Sequence, residues 1–169
     1  MTAPAASRVL YWIMSAAPPA LDWQSALPAL QADGWDPYVI LTEVASQWLD
    51  ANDLAAATGH AVRSRQRRLD EVDSTPPADA VFLAPATFNT LNKWAGGIND
   101  SLALGLLNEL IGVGVPIVVA PVAKAALASH PAYQANLEVL RDAGVAILDG
   151  EFSWAVAREL LSMTTNTTS

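Results

Sequence analysis

The sequence predicts an α/β fold, a Rossmann-like or flavodoxin-like three-layer sandwich around a mostly parallel sheet. Two observations carry that expectation. Short apolar runs alternate with longer amphipathic stretches along the chain, the pattern of buried strands covered by helices. Several runs also end in small, hydroxyl or proline residues, as at Ser15-Ala16-Ala17-Pro18-Pro19 and Ala84-Pro85-Ala86-Thr87, which marks a turn before the next element. The 169 residues suit a single domain with a proper core, 1–169, with 1–7 and 164–169 expected as flexible tails.

Residues 9–14 are continuously apolar and read as the first buried strand. Residues 21–32 carry an imperfect helical stripe through Trp23, Leu27 and Leu30, closed by Gly34, and Pro28 is expected to kink or restart it. Residues 38–41 form the second strand, which ends at Thr42. Residues 44–57 read as helix with an interruption at Asn52-Asp53. The stretch 59–77 is polar, charged and weakly patterned, with at most a short strand around Ala61-Val62, and its role as lid, interface or loop stays open. After Pro76-Pro77, residues 80–83 are a buried strand. Residues 100–111 place Leu102, Leu106, Leu107 and Leu110 on one helical face. A strand over 116–120, a helix over 133–143, a strand over 145–148 and a helix over 152–163 complete the chain.

Composition narrows the function. At 52% hydrophobic and 15% charged residues the chain is unusually apolar, an excess that suits a subunit interface. A net charge of -8 argues against nucleic acid as partner. The one basic run, Arg63-Ser64-Arg65-Gln66-Arg67-Arg68, is followed by Asp70, Glu71 and Asp73 and reads as solvated and self-paired. With no cysteine and only His60 and His130, neither a disulfide nor a metal motif is expected. The apolar run over 111–128 is broken by Gly112, Gly114, Pro116, Pro121 and Lys124, so no membrane span is expected. The amino-terminal apolar run is too short for a signal peptide, and a cytoplasmic location is the expectation. The Asn166-Thr167-Thr168 triplet carries little meaning without secretion.

The most informative segment is Ala84-Pro85-Ala86-Thr87-Phe88-Asn89-Thr90, continued by Lys93-Trp94-Ala95-Gly96-Gly97-Ile98-Asn99-Asp100. A strand that ends in proline, small and hydroxyl residues and an amide sets N–H groups and short polar side chains at a carboxyl strand edge. Open α/β sheets bind ligands at that edge. PATFNT followed by KxAxGIxD resembles the flavin-binding signature of the homo-oligomeric flavin-containing cysteine decarboxylases. That family includes phosphopantothenoylcysteine decarboxylase and lantibiotic peptidyl-cysteine decarboxylases, and it binds FMN.

The resemblance runs from residue 9 to about 148 and implies FMN as cofactor, a homo-oligomer (trimer or multiple of trimers) and a small-molecule or peptide substrate. It implies that Ser15 and Ala16 lie in the phosphate loop, where Met14 replaces the usual glycine, and that main-chain N–H groups there hold the anion. Thr42 and Trp48 would contact phosphate and ring; Pro85, Ala86, Thr87, Phe88, Asn89 and Thr90 form the signature loop; Asp100 and Ala120 complete the set. Plainer roles stand beside these: Ser15 and Asp100 as helix N-caps, Trp48 as a core or interface residue, Lys93 as a solvated helix residue, His130 as a helix-start residue.

The residues of decarboxylation chemistry depart from the family. Relatives read PxMNxxMW where this chain has Pro121-Val122-Ala123-Lys124-Ala125-Ala126-Leu127-Ala128, so Lys124 occupies the catalytic asparagine's position. The family's base histidine maps near Glu71, whose carboxylate would need burial to raise its pKa. The family's cysteine-bearing clamp has no counterpart, since only Asp149-Gly150-Glu151 joins the last strand and helix. The expectation is an FMN-binding flavoprotein without the catalytic His and Asn, performing flavin-dependent redox chemistry on a small molecule or peptide, with Lys124 near the flavin. The alternatives are an oxidative decarboxylase of cysteinyl substrates using Glu71 and Lys124, and a non-catalytic flavin-binding interaction or regulatory module.

Overall fold

Parallel strands need long crossovers, and the amphipathic stretches supply them. A computed structural model describes residues 7–167. Strands β1 (Arg8–Met14), β2 (Trp35–Leu41), β3 (Ala80–Thr87), β4 (Ile117–Val122) and β5 (Ala146–Ile147) form one sheet in the order β2-β1-β3-β4-β5. Every pairing is parallel. This is the flavodoxin-like order of a doubly wound sheet.

The period of two along each strand divides the core between the two faces. Leu10, Trp12, Met14, Leu41 and Phe82 pack with Leu27 and Leu30 of α1 (Trp23–Ala32) and Leu161 of α8 (Trp154–Asn166). Tyr11, Ile13, Ile40, Val81 and Leu83 face the other layer. There they meet Leu91 and Trp94 of α4 (Phe88–Ala95), Leu107 of α5 (Leu102–Gly112) and Leu137 of α7 (Pro131–Asp142). Fully burying one such leucine contributes about 1.5–3 kcal/mol.

Several boundaries differ from the sequence expectation, each for a local reason. Residues 18–22 form a 3-10 turn opened by two prolines, so α1 starts at Trp23 and keeps Pro28 within it. The expected helix over 44–57 is two: α2 (Ala45–Trp48) and α3 (Ala51–Thr58). The break falls at Leu49-Asp50, not at Asn52-Asp53, because the Asp50 carboxylate accepts the N–H groups of Asn52 and Asp53 and caps α3. No strand forms at Ala61-Val62; the neighbouring Arg63 instead makes an isolated parallel bridge to Ile40. β3 runs on through Pro85 to Thr87, with a register shift against β4 between Leu83 and Ala86. The four-residue helix α6 (Ala125–Ala128) was not expected, and α8 continues to Asn166, so 164–166 are helical and not a tail. Of the other expected tail residues, Ser7 and Thr167 lie just outside β1 and α8, and 1–6 and 168–169 lie outside the described residues.

The 59–79 segment crosses the sheet face beside β1 and β2. Tyr11 donates its hydroxyl hydrogen to the Pro76 carbonyl at 2.7 Å, and the Leu41 N–H donates to the Arg63 carbonyl at 2.8 Å. Among the described residues no helix is long and apolar enough to cross a membrane.

Candidate functional site

The chain leaves β1 for one neighbour and later returns to the other, so β1 and β3 part at a topological switch point. Ligands of open α/β sheets bind outside the carboxyl strand ends at such points. Here a crevice of about 360 Å³ opens there. Ala16 follows β1, and Thr42, Glu43 and Val44 follow β2. Thr87, Asn89, Thr90 and Lys93 come from the β3–α4 junction, and Asp100, Ser101 and Leu104 from the start of α5. Its size falls within the range of small-molecule sites.

A trio of hydroxyls forms its floor. Ser15, 1% exposed, donates through Oγ to Thr90 Oγ1 at 3.1 Å, and Thr87 Oγ1 donates to the same oxygen at 3.1 Å. Thr87 Oγ1 also accepts the Thr90 N–H at 3.4 Å, which makes Thr87 the N-cap of α4. A hydroxyl oxygen has two acceptor lone pairs and one hydrogen. With both lone pairs of Thr90 occupied, its hydrogen is left to donate to whatever fills the crevice. The first-turn N–H groups of α4 lack intrahelical partners and favour an anion at the same end.

The main chain holds this floor in place. The Ser15 N–H donates to the Pro85 carbonyl at 3.0 Å, and the Thr42 N–H to the Met14 carbonyl at 3.0 Å. Thr42 Oγ1 accepts the Ala45 N–H at 3.3 Å, so this hydroxyl starts α2. Across the mouth, Lys93 Nζ reaches Asp100 Oδ2 at 2.7 Å. That contact neutralises a carboxylate which would otherwise repel an anion. Thr90, the α4 N-terminus and Lys93 are a donor set that fits a phosphate, and Val44 and Leu104 are apolar walls that fit a ring.

The sequence-predicted residues divide clearly. Ala16, Thr42, Thr87, Asn89, Thr90 and Asp100 all line the crevice. Ser15, Pro85 and Ala86 are buried beneath it. Asn89 and Thr90 belong to the first turn of α4, not to a loop. Phe88 turns away to stack on Tyr133, centroids 5.5 Å apart, and ties α4 to α7. Ala120 is buried inside β4 and does not line the crevice. Trp48 does not line it either: α2 buries Ala45 and leaves the indole 46% exposed. Ser15 caps no helix, and the cap of α5 is Ser101, whose Oγ accepts the Leu104 N–H at 3.2 Å, rather than Asp100. His130 does start α7, with Nδ1 accepting the Ala132 N–H at 3.1 Å.

Neither residue expected near the reaction enters the crevice. Lys124 is exposed at the start of α6. Glu71 is exposed and takes Arg65 Nη2 on Oε1 at 2.7 Å. That hydrogen bond, then one from the Arg68 N–H, holds its carboxyl below the ordinary value, the opposite of the shift a general base requires. Glu43, Val44, Ser101 and Leu104 were missed as lining residues. Only Ser101 left a sequence signal, as a hydroxyl ahead of an apolar helix.

Comparison with known proteins identifies the family. The Flavoprotein family profile matches residues 6–166. The chain is 28% identical over 117 residues to the Coenzyme A biosynthesis bifunctional protein CoaBC of Bacillus subtilis, over 66% of this chain and 28% of that protein. It is 38% identical over 72 residues to a cysteine/cysteine sulfinic acid decarboxylase of an unknown prokaryotic organism, covering 43% of this chain and 19% of the other. The chain thus spans under a third of the length of these curated relatives. The crystal structure of the FMN-dependent cysteine decarboxylase SpaF superposes with a TM-score of 0.77 at 26% identity, covering 95% of this chain and 98% of that one. The chain belongs to the Flavoprotein family.

Proposed function

We propose that this flavoprotein binds FMN in the switch-point crevice and uses it for redox chemistry on a small molecule or peptide. The observation that carries the reading is the Ser15–Thr87–Thr90 hydroxyl floor, with one hydrogen to spare beneath the α4 N-terminus. In this reading Thr90 Oγ1 and the first-turn N–H groups of α4 hold the phosphate, and Ser15 and Thr87 orient Thr90. Val44 and Leu104 shield the ring from water, and Lys93 offsets the charge of Asp100. FMN, once bound, supplies a two-electron acceptor that side chains lack. Exposed Val44, Trp48 and Ile98 beside the crevice support assembly into a homo-oligomer whose contacts cover them.

The reaction is proposed not to use the family's histidine and asparagine, whose positions here hold Glu71 and Lys124. An ion-paired, exposed carboxylate cannot replace an imidazole base. This favours redox chemistry over cysteinyl decarboxylation, and it also supports a second reading, a flavin-binding module without catalysis. Purified protein should be yellow, release FMN by mass, and bleach when given its reducing substrate without oxygen. Stable FMN binding with no reduction by any thiol, carboxylic acid or peptide tested would select the second reading. Colourless protein that takes up no added FMN would overturn both.

A further inference from the structure

The basic run pairs with the acidic residues that follow it, with one exception. Arg65 pairs with Glu71 at 2.7 Å, Arg67 with Asp73, and Arg68 with Asp70 at 3.6 Å. The Arg63 guanidinium is half-buried and makes no hydrogen bond or ion pair with any described residue. Its backbone is held rigidly, since the Arg63 N–H donates to Val39 at 3.1 Å and its carbonyl accepts from Leu41 at 2.8 Å. A guanidinium so placed has lost water without gaining a carboxylate.

Arg63 lines a cavity of about 540 Å³ that shares no lining residue with the crevice. Tyr38 and Arg67 also line it. The Tyr38 hydroxyl has no hydrogen-bond partner among the described residues, and the Tyr38 ring stacks on His60 with centroids 3.8 Å apart. His60 Nε2 is engaged by Asp36 Oδ1 at 2.6 Å, which fixes the ring. Glu71 and Asp73 line the cavity too, and their charges are offset by Arg65 and Arg67. Burial, then the like charge of Arg67, pushes the Arg63 pKa down, and the charge of Asp73 only partly opposes them.

We propose that this cavity is a second, separate ligand site, in which Arg63, supported by Arg67 and the Tyr38 hydroxyl, binds the carboxylate or phosphate of a small organic anion. A guanidinium fork suits either group bidentately. The size of the cavity and its Tyr38–His60 wall leave room for an organic body beyond the anionic head. The site is independent of FMN binding in the crevice.

The test is calorimetric titration of the FMN-loaded protein at low salt with inorganic phosphate, phenyl phosphate and benzoate in turn. Saturable binding of phenyl phosphate alone identifies a phosphate ester, of benzoate alone a carboxylate, and tighter binding of either than of inorganic phosphate supports the organic body. Arg63→Gln should weaken the binding by about tenfold or more, and Arg63→Lys by less. Arg65→Gln should leave it unchanged, because Arg65 does not line the cavity. Should Arg63→Gln fail to fold, phenylglyoxal labelling of the unaltered protein, read by peptide mass, reports on Arg63 directly. Ligand should slow modification of Arg63 and not of Arg65. No saturable binding of any probe, or binding that survives Arg63→Gln intact, would overturn the proposal. FMN retention is measured separately, so failure of this site and failure of the crevice are distinguishable.

Discussion

At the scale of single residues, Thr90 is where local chemistry is most concentrated. Its hydroxyl accepts from both Ser15 and Thr87, and the residue as a whole is 5% exposed. Thr90→Val keeps the shape but strands the buried Ser15 hydroxyl and the half-buried Thr87 hydroxyl, which should cost about 1–3 kcal/mol of stability. It should also weaken FMN binding by about tenfold or more, measured by flavin fluorescence titration, while Thr90→Ser retains binding. Glu71 provides the contrasting case. Because it is ionised and paired with Arg65, Glu71→Gln should leave any rate of flavin reduction within about twofold in anaerobic stopped-flow traces. A loss of several hundredfold would restore it as a base. The hydroxyls were legible in the sequence because short polar residues after an apolar strand have few other uses. The positions of Trp48 and Lys124 were not, since sequence spacing does not say toward which side a short helix turns its residues.

Among the elements, α4 and α5 matter most because they carry the crevice walls. Both begin at hydroxyl caps, Thr87 and Ser101. Ser101→Ala should lower stability by about 1 kcal/mol in urea titration, the usual worth of an N-cap. Leu107, fully buried from α5 against the sheet, should cost about 2–5 kcal/mol when cut to alanine. If both variants proved equal, α5 would not be held mainly by its buried face. The sequence marked α5 through its leucine stripe, but α4 was hidden. Its eight residues, Phe88–Ala95, mix polar and apolar types, and the first three of them belong to the signature that the sequence presents as a loop. A helix this short is marginal by itself and forms because Leu91 and Trp94 pack on the sheet.

For the molecule as a whole, all three tyrosines report on packing. Burial raises the pKa of Tyr11, Tyr38 and Tyr133 above 10.0. A phenol whose folded pKa lies above its unfolded value contributes stability that is complete below the unfolded value. That contribution is lost as pH rises through the folded value. The melting temperature should therefore hold as pH approaches 10 and fall above it, while phenolate absorbance rises later than in the urea-unfolded chain. Ordinary titration of all three in the folded protein would contradict this packing. Tyr11→Phe, which removes the hydrogen bond to the Pro76 carbonyl, should loosen the 59–79 segment and increase its proteolytic cleavage.

By itself the sequence determined the alternation of strands and helices, the buried strands, the hydroxyl-rich strand ends and the family signature. These follow from periodicity and short-range chemistry, which the order of residues states directly. Only the tertiary structure decided that β1 lies between β2 and β3, that Ser15 and Thr90 meet across 75 positions of chain, and that Arg63 ion-pairs with no described carboxylate while the other arginines of its run find theirs. Strand order and ion pairing depend on which surfaces can be buried together and on which charges then lie within reach. No local pattern in the chain encodes those distances.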